Sequence, residues 1–359
     1  MQRKYYLDNI RWETVLLVML YHVFYLFNSE GIFGGIGAFS AVQYQDALLY
    51  AVYPWFMVLL FLVAGISARY TLQNRSHRQF IWERTEKLLV PSTVGLFVFH
   101  WMNGCFYMQI SGMWDSIPTA LRYPISALSS TGPLWFAQLL WLFSLLLVLV
   151  RKLDTADRVW IWCGKANTAM ILACGGLLWA GAQVLNMPVI TTYRFGIYFT
   201  AYLLGYFVFS HDAVQDRVER MHVPMLTAAI LLGICYVAYY FGQDYTTDAC
   251  LKSGFTNGYL WIAVLAVLGC GKAWANRTSA LAAYLTKASF GLYVVHYTVA
   301  LRVCWLLAYH TALPVPMVYL FACGSVLVLS PVLYEIIRRI PVIRYCVLGI
   351  RGQKKKPSA

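Results

Sequence analysis

The sequence predicts an all-α polytopic membrane protein, folded as a bundle of about ten transmembrane helices. Of its 359 residues, 60% are hydrophobic and only 12% are charged, which is about half the charged fraction of an average soluble domain. The mean hydropathy is +0.60. Apolar windows long enough to cross about 30 Å of hydrocarbon recur along the whole chain. These observations exclude an ordinary soluble domain.

The predicted spans follow one another with short connections. In chain order they are 9–27, 48–69, 88–107, 133–150, 166–184, 193–210, 223–241, 255–270, 288–308 and 315–337. Glycine or proline interrupts three of these windows, at Pro54, at Gly175-Gly176 and at Pro331, and these windows fit the helical pattern least well.

The chain is predicted to divide near residue 337. Residues 1–337 form the transmembrane domain, and residues 338–359 form a cytoplasmic segment. Within that segment we expect an interfacial helix over 338–350 and a basic tail at Lys354–Lys356. Such a tail is attracted to anionic lipid, or it serves only as a topology signal.

The basic residues follow the predicted topology. With the N-terminus in the cytoplasm, the exceptions among the 28 lysines and arginines are Arg122, Arg194, Lys252 and Arg302; all the others fall in segments facing the cytoplasm. The positive-inside rule therefore supports an even number of spans with both termini cytoplasmic. We expect a multi-pass protein of the plasma (bacterial cytoplasmic) membrane. Because topology accounts for the net charge of +13, we predict no nucleic-acid partner.

No pattern in the sequence predicts a metal or a bound cofactor. The nine cysteines include no C-x-x-C pair, and most lie in apolar runs, so we expect no disulfide framework. No grouping of His, Asp and Glu has metal-ligand spacing. No glycine-rich phosphate loop follows a strand.

The first span carries two ionisable residues, Arg11 and His22. Eleven helical steps turn the chain about 20° past three full turns and rise roughly 16 Å, so both residues lie on one helix face. Ionisable groups at membrane depth are costly and usually mark a site. A histidine there can remove a hydroxyl proton or accept an acyl group; the alternative is a buried histidine bonded to a carbonyl or a tyrosine. Because this run contains Arg11 and His22, we expect it to be a retained span rather than a cleaved signal peptide.

Five segments resemble motifs of the acyltransferase 3 family of integral membrane acyltransferases. They are YLDNIRW with LYH, which gives Arg-x10-His; FLVAGISARYTLQNRS; WERTEKLLVP; GPLWFAQLL; and SFGLYVVH. Their order and spacing make the resemblance specific. The sequence departs from the family pattern at Ala64, at Lys87, which replaces the second arginine of Arg-x-x-Arg, and at Gln138.

The resemblance implies an O-acyltransferase that takes an acyl group, by expectation acetyl, from cytoplasmic acyl-CoA. The acceptor is expected to be a hydroxyl of a surface or lipid-linked glycan. His22 is then the catalytic base or acyl carrier, and Arg11 holds donor phosphates. The other donor-binding candidates are Arg84, Lys87, Arg69, His296 and Ser289. Arginine binds phosphate bidentately, whereas lysine at position 87 keeps only the charge. For the basic loop as a whole, setting topology is an alternative role.

Five further polar or aromatic residues are candidates for acceptor binding. They are His100, Trp135, Gln138 and Arg194, which lie toward the predicted outer side, and Arg302, near the midplane of its span, which is a candidate for binding either acceptor or donor. Aromatic faces suit sugar rings, although interfacial aromatics also serve as membrane anchors. A structural hydrogen bond is an equally good interpretation of His296.

Two other functional classes remain open. One is a transporter or flippase of a glycan or lipid precursor, a class in which inverted repeats and broken helices are frequent; the sequence shows no repeat. The other is a partner subunit with a decayed site, suggested by the departures at Ala64 and Lys87.

Overall fold

The computed structural model describes residues 3–31, 34–188 and 192–351. Its helices are α1 (Tyr5–Leu26), α2 (Ala47–Val52), α3 (Phe56–Leu72), α4 (His77–Arg84), α5 (Val90–Gly95), α6 (Trp101–Ile110), α7 (Thr119–Ser129), α8 (Trp135–Leu153), α9 (Arg158–Cys163), α10 (Thr168–Ala182), α11 (Phe195–Phe207), α12 (Asp212–Arg220), α13 (His222–Tyr240), α14 (Asp248–Lys252), α15 (Gly254–Trp274), α16 (Ala280–His310), α17 (Val315–Ile337) and α18 (Pro341–Leu348). Shorter turns are 3₁₀ at Tyr44–Asp46, Trp114–Ser116 and Gly132–Leu134, and π-helical at Thr85–Leu89 and Leu96–His100. Strands β1 (Asn186–Pro188) and β2 (Thr192–Arg194) pair antiparallel, which adds a small hairpin to the predicted all-α fold.

A helix occupies each of the ten predicted windows. Among the described residues, seven helical segments are long and apolar enough to cross a membrane: Tyr44–Leu72, His77–Ile110, Gly132–Leu153, His222–Tyr240, Gly254–Trp274, Ala280–His310 and Val315–Ile337. The other three windows hold α1, α10 and α11. The helical membrane fold is confirmed, whereas the count of ten spans and the cytoplasmic placement of both termini stay predictions.

Only one of the three interrupted windows contains a turn. Three turn residues, Tyr53–Trp55, separate α2 from α3, because Pro54 has no backbone N–H to continue the ladder. Tyr53 and Trp55 keep right-handed helical dihedrals, and the window 48–69 lies within one membrane-length helical segment, Tyr44–Leu72. Helix α10 runs unbroken through Gly175-Gly176, and α17 runs unbroken through Pro331.

The chain forms two compact units. The first comprises residues 1–77 and 143–289, and the second comprises residues 78–142 and 290–359. The predicted basic tail at Lys354–Lys356 lies outside the described residues.

In the first unit, helices α3 and α11 pack backbone to backbone. A Cβ added to Gly65 would overlap the carbonyl oxygen of Tyr202, and a Cβ added to Gly205 would overlap that of Leu62. Small residues allow this approach, which maximises dispersion contacts between apolar helices. The pairing therefore requires glycine on both helices.

In the second unit, the C-terminal helix α18 packs on α5. A Cβ on Gly95 would lie 3.0 Å from the carbonyl oxygen of Cys346. Helix α18 ends at Gly349, whose φ of 63° is left-handed, and a Cβ there would lie 2.9 Å from the Cα of Lys87. Within the predicted segment 338–350 the helix covers Pro341–Leu348, and contacts of Gly349 reach the WERTEKLLVP segment. The interfacial, cytoplasmic placement of this helix stays a prediction.

Candidate active site

Helix α1 carries both ionisable residues of the first span. It runs without interruption from Tyr5 to Leu26, so Arg11 and His22 do share a face, about 16 Å apart along the axis. Half-buried Arg11 donates from Nη2 to Ser67 Oγ over 2.8 Å. The same guanidinium lies 3.4 Å from Asp8 Oδ1. Arg11 therefore joins the first motif to the FLVAGISARYTLQNRS segment on α3.

The proton position on His22 follows from its main-chain partner. Nδ1 lies 2.8 Å from the carbonyl oxygen of Val18, and a carbonyl oxygen can only accept, so Nδ1 carries the hydrogen. In the neutral ring Nε2 is then the unprotonated nitrogen. The carbonyl contact is the one expected of a structural histidine, and it also fixes the orientation of the ring and makes Nε2 its basic nitrogen.

Arg69 lies in a dense polar cluster of the first unit. Its side chain is 9% exposed and pairs with Asp157 at 2.9 Å, and its guanidinium lies 4.1 Å from the centre of the Trp160 ring. Asp157 also pairs with Arg151. These contacts fasten α3 to the segment that begins α9. Donor binding by Arg69 stays a prediction.

Replacing Asp157 by asparagine is expected to lower the free energy of unfolding by about 2 kcal/mol, because two arginines lose their carboxylate while one stays buried. Thermal unfolding of the purified protein in detergent measures the change. Asp115→Asn is the control: that carboxylate is 96% exposed beside Arg122, where ion pairs contribute little. Equal melting temperatures for the two variants would show that the Asp157 pairing is dispensable.

The WERTEKLLVP segment contains a π-helical turn, Thr85–Leu89. Such turns occur often at functional sites. Trp141 Nε1 donates to Thr85 Oγ1 over 2.9 Å, and buried Glu86 pairs with Arg351. Lys87 is exposed. Arg84 is half-buried, with its guanidinium 5.1 Å from the centre of the Phe80 ring. The second unit thus presents Lys87 at its surface.

The late motif SFGLYVVH lies on helix α16. Ser289 is buried and donates to the carbonyl oxygen of Thr286 over 3.2 Å. His296 is fully buried, with Nδ1 2.6 Å from the carbonyl oxygen of Tyr293. The Tyr293 hydroxyl donates to the carbonyl oxygen of Pro133. This bond joins the late motif to the GPLWFAQLL segment.

The acceptor candidates of the second unit lie at three places. Gln138 donates to the carbonyl oxygen of Ser92 over 2.8 Å, three residues beyond half-buried Trp135. His100 is 2% exposed, and its Nε2 has no hydrogen-bond partner within the described part of the chain. Arg302 donates to Asn103 Oδ1 over 2.9 Å. Acceptor binding by these residues stays a prediction.

Arg194, the remaining acceptor candidate, belongs to the first unit. It is 1% exposed and donates to the carbonyl oxygen of Leu251 over 3.1 Å. Its charge also acts on the short helix α14, where a hydrogen bond from Lys252, with a smaller contribution from Arg194, lowers the pKa of the Asp248 carboxyl. Arg194 therefore holds the connection before α15 in place.

Sequence reasoning missed two neighbours of the first span. Ser67 reads as an ordinary small residue of an apolar run, yet it bonds Arg11. Tyr245 lies far along the chain in a connecting segment, yet its hydroxyl is 3.3 Å from that of Tyr21. A serine two residues from a motif glycine offers no signal, and no sequence pattern connects a loop tyrosine to α1.

Comparison with known proteins agrees with these motifs. A family model described as an acyltransferase domain matches residues 4–335. Similar proteins include the glucans biosynthesis protein C of Escherichia coli strain K12, of E. coli O157:H7 and of Shigella boydii serotype 4. Each is 23% identical over 372 residues, covering 97% of this chain and 95% of the relative. No solved structure matches the chain. The chain belongs to the acyltransferase 3 family and is a membrane acyltransferase.

Proposed function

We propose that the protein transfers an acyl group, which we expect to be acetyl, from cytoplasmic acyl-CoA to a hydroxyl of a glycan. The observation that carries the proposal is the arrangement on α1, where His22 presents Nε2 as the basic nitrogen and Arg11 lies one half-bilayer away on the same face. The printed name of the relatives, glucans biosynthesis protein C, favours a glucan as the acceptor.

The proposed reaction uses His22 as general base. Nε2 takes the proton of the acceptor hydroxyl, and the resulting oxygen nucleophile attacks the thioester carbonyl. The tetrahedral intermediate then expels the CoA thiolate, which recovers a proton from the imidazolium. In the second route Nε2 attacks the thioester and the CoA thiolate leaves, which gives an acyl-imidazolium. The acceptor hydroxyl then attacks the acyl carbon, the bond to Nε2 breaks, Nε2 takes the hydroxyl proton, and that proton passes to the CoA thiolate. Both routes place the CoA phosphates near the Arg11 end of the helix.

The direct test uses inverted membrane vesicles, in which the predicted cytoplasmic face is outside. A mixture of glucans is enclosed in the vesicle lumen, labelled acetyl-CoA is added outside, and both CoA release and labelled glucan are measured. We expect glucan-dependent CoA release in vesicles with the protein and none without it. Equal CoA release in vesicles with and without the protein, unchanged by glucan, would contradict the proposal.

Arg84 is proposed to bind donor phosphate. We expect Arg84→Ala to raise the KM for acyl-CoA about tenfold with a smaller effect on kcat, because a charge-assisted hydrogen bond to phosphate is lost. Lys87→Arg should lower KM, since it restores the bidentate fork. Arg78→Ala is the matched control, because Arg78 is exposed one turn and a half earlier. An unchanged KM in Arg84→Ala, or an equal rise in Arg78→Ala, would remove Arg84 from the donor site.

A transporter is the second candidate, and one observation favours it. The turn at Tyr53–Trp55 lies within the helical segment Tyr44–Leu72, and transporters have discontinuous helices that line a substrate path. Glucan flux across vesicles that lack acyl-CoA would support transport, and CoA release would support the acyltransferase.

A further inference from the structure

Two tyrosines, Tyr21 and Tyr25, contact His22 within the first unit, and two more, Tyr53 and Tyr245, contact Tyr21. The Tyr21 ring is nearly parallel to Tyr25 (27°, centroids 5.9 Å) and to Tyr53 (22°, 6.3 Å). The His22 ring stands at 68° to Tyr25, with centroids 6.0 Å apart. Tyr245 meets Tyr53 edge-on at 4.8 Å. We call Tyr21, Tyr25, Tyr53 and Tyr245 the tyrosine wall.

The members of the tyrosine wall differ in exposure. Tyr21 and Tyr245 are 4% and 0% exposed, and their hydroxyls lie 3.3 Å apart, so they form the buried backing. Tyr25 and Tyr53 are only half-buried. The two half-buried rings are therefore held in place by the two buried ones, and Tyr25 lies beside His22.

The turn between α2 and α3 fixes the position of Tyr53. Tyr53 is the first residue of the turn Tyr53–Trp55, and its backbone N–H donates to the carbonyl oxygen of Leu49 over 2.9 Å. Trp55 Nε1 donates to the carbonyl oxygen of Ala51 over 2.8 Å, so the turn is held in place by hydrogen bonds to α2.

Orderly tyrosine faces suit one class of acceptor. A pyranose ring carries an apolar face of C–H groups and a rim of hydroxyls. The apolar face packs on an aromatic ring, and the rim pairs with phenolic hydroxyls, which combine an apolar body with a polar tip. A linear lipid alcohol or a compact small alcohol has no flat face for two fixed rings.

We propose that Tyr25 and Tyr53 form the acceptor surface of this enzyme, on which a pyranose ring stacks so that one hydroxyl reaches His22 Nε2. The inference deepens the proposed function and rests on it for the identity of the base. Tyr25 and Tyr53 determine acceptor specificity, whereas Tyr21 and Tyr245 are positioning residues that keep the two rings in place.

The experiment measures binding of glucose oligomers of two to eight units, α- and β-linked, to the purified full-length protein without acyl-CoA. Isothermal titration calorimetry gives the Kd. In Tyr25→Leu and Tyr53→Leu we expect the Kd of the best oligomer to rise about tenfold. Tyr25→Phe and Tyr53→Phe keep the ring face and should change it less than threefold. Tyr239→Leu is the control, since Tyr239 is 65% exposed on α13.

Tyr53→Trp keeps the experiment decisive if a leucine variant unfolds. Its larger face should bind at least as tightly as wild type, and its fluorescence should shift when an oligomer is added. The proposal is overturned if the leucine variants fold and bind like wild type, if phenylalanine weakens binding as much as leucine, or if wild type binds no oligomer.

The same preparation separates this inference from the proposed function. CoA release from acetyl-CoA, with and without oligomer, is measured for each variant. Wild-type protein that binds oligomers but never releases CoA would contradict the acyltransferase reaction. The proposed binding role of Tyr25 and Tyr53 would remain supported. If CoA release proceeds normally and the leucine variants show an unchanged KM for the oligomer, only the proposed acceptor binding by Tyr25 and Tyr53 is overturned.

Discussion

Replacing His22 by alanine is expected to lower glucan-dependent CoA release about a thousandfold, the contribution of a well-placed general base. Binding of acyl-CoA should be almost unchanged, because the phosphate contacts are proposed to lie at Arg11. The measurement is kcat in membranes that contain equal amounts of folded protein, with acyl-CoA affinity measured separately by thermal stabilisation.

Two companion variants sharpen the His22 test. His77→Ala removes an exposed histidine at the start of α4 and should leave kcat at the wild-type value. His22→Gln keeps a side chain able to donate to the carbonyl oxygen of Val18, so it should preserve folding without restoring catalysis. Activity of His22→Ala within twofold of wild type at equal protein level would exclude the chemical role.

The base and carrier routes differ in one species. If His22 accepts the acyl group, incubation with acyl-CoA alone should add one acyl mass to the peptide that contains it, and Tyr21→Phe should leave that label intact. If His22 acts only as base, the peptide stays unlabelled while acyl transfer to the glucan proceeds. Rapid acid quench followed by mass spectrometry distinguishes the two.

Gly65→Ala is expected to cause the largest loss of stability, at about 3 kcal/mol or more. The added Cβ would meet the backbone of Tyr202, and backbone cannot rotate aside as a side chain can. Helices α3 and α11 would have to separate along their length. Gly205→Ala should act alike, because its Cβ would meet the carbonyl oxygen of Leu62.

Gly176→Ala is the matched control for the glycine contact. Gly176 also lies within a helix, α10, but a Cβ there meets nothing within 4 Å, so alanine should stabilise by about 0.5 kcal/mol through helix propensity. The readouts are the yield of monodisperse protein on size-exclusion chromatography and the melting temperature. A Gly65→Ala protein that melts with wild type would mean that the two helices are free to move apart.

Helix positions were predictable from the sequence because apolar length alone specifies them. The effect of each proline on its helix was harder to predict. Pro54 lies in the turn between α2 and α3, whereas Pro331 lies within continuous α17. Helix α7 was not predicted at all. It begins after Pro118 and contains Pro124. Its C-terminal end packs against Gly104 of α6, where an added Cβ would lie 2.7 Å from Ser130 Oγ. Short helices of mixed polarity lack the uniform signal of a span.

The candidate site was predictable only where residues share one helix. Arg11 and His22 repeat at helical spacing, so their common face follows from the sequence. Ser67 lies 56 residues from its partner Arg11, and Asp157 lies 88 residues from its partner Arg69. No local sequence pattern indicates such pairings. The tautomer of His22 needed the observed bond to Val18, since the sequence equally allows a tyrosine partner.

The left-handed turn at Gly349 changes where the chain can be shortened. A protein ending near residue 337, the predicted edge of the membrane domain, would lose α18 and uncover the face of α5 that carries Gly95. It would also remove Arg351 from buried Glu86, leaving an acidic group uncompensated within the WERTEKLLVP segment. Expression vectors should therefore keep the chain through residue 351, and affinity tags are better placed at the N-terminus.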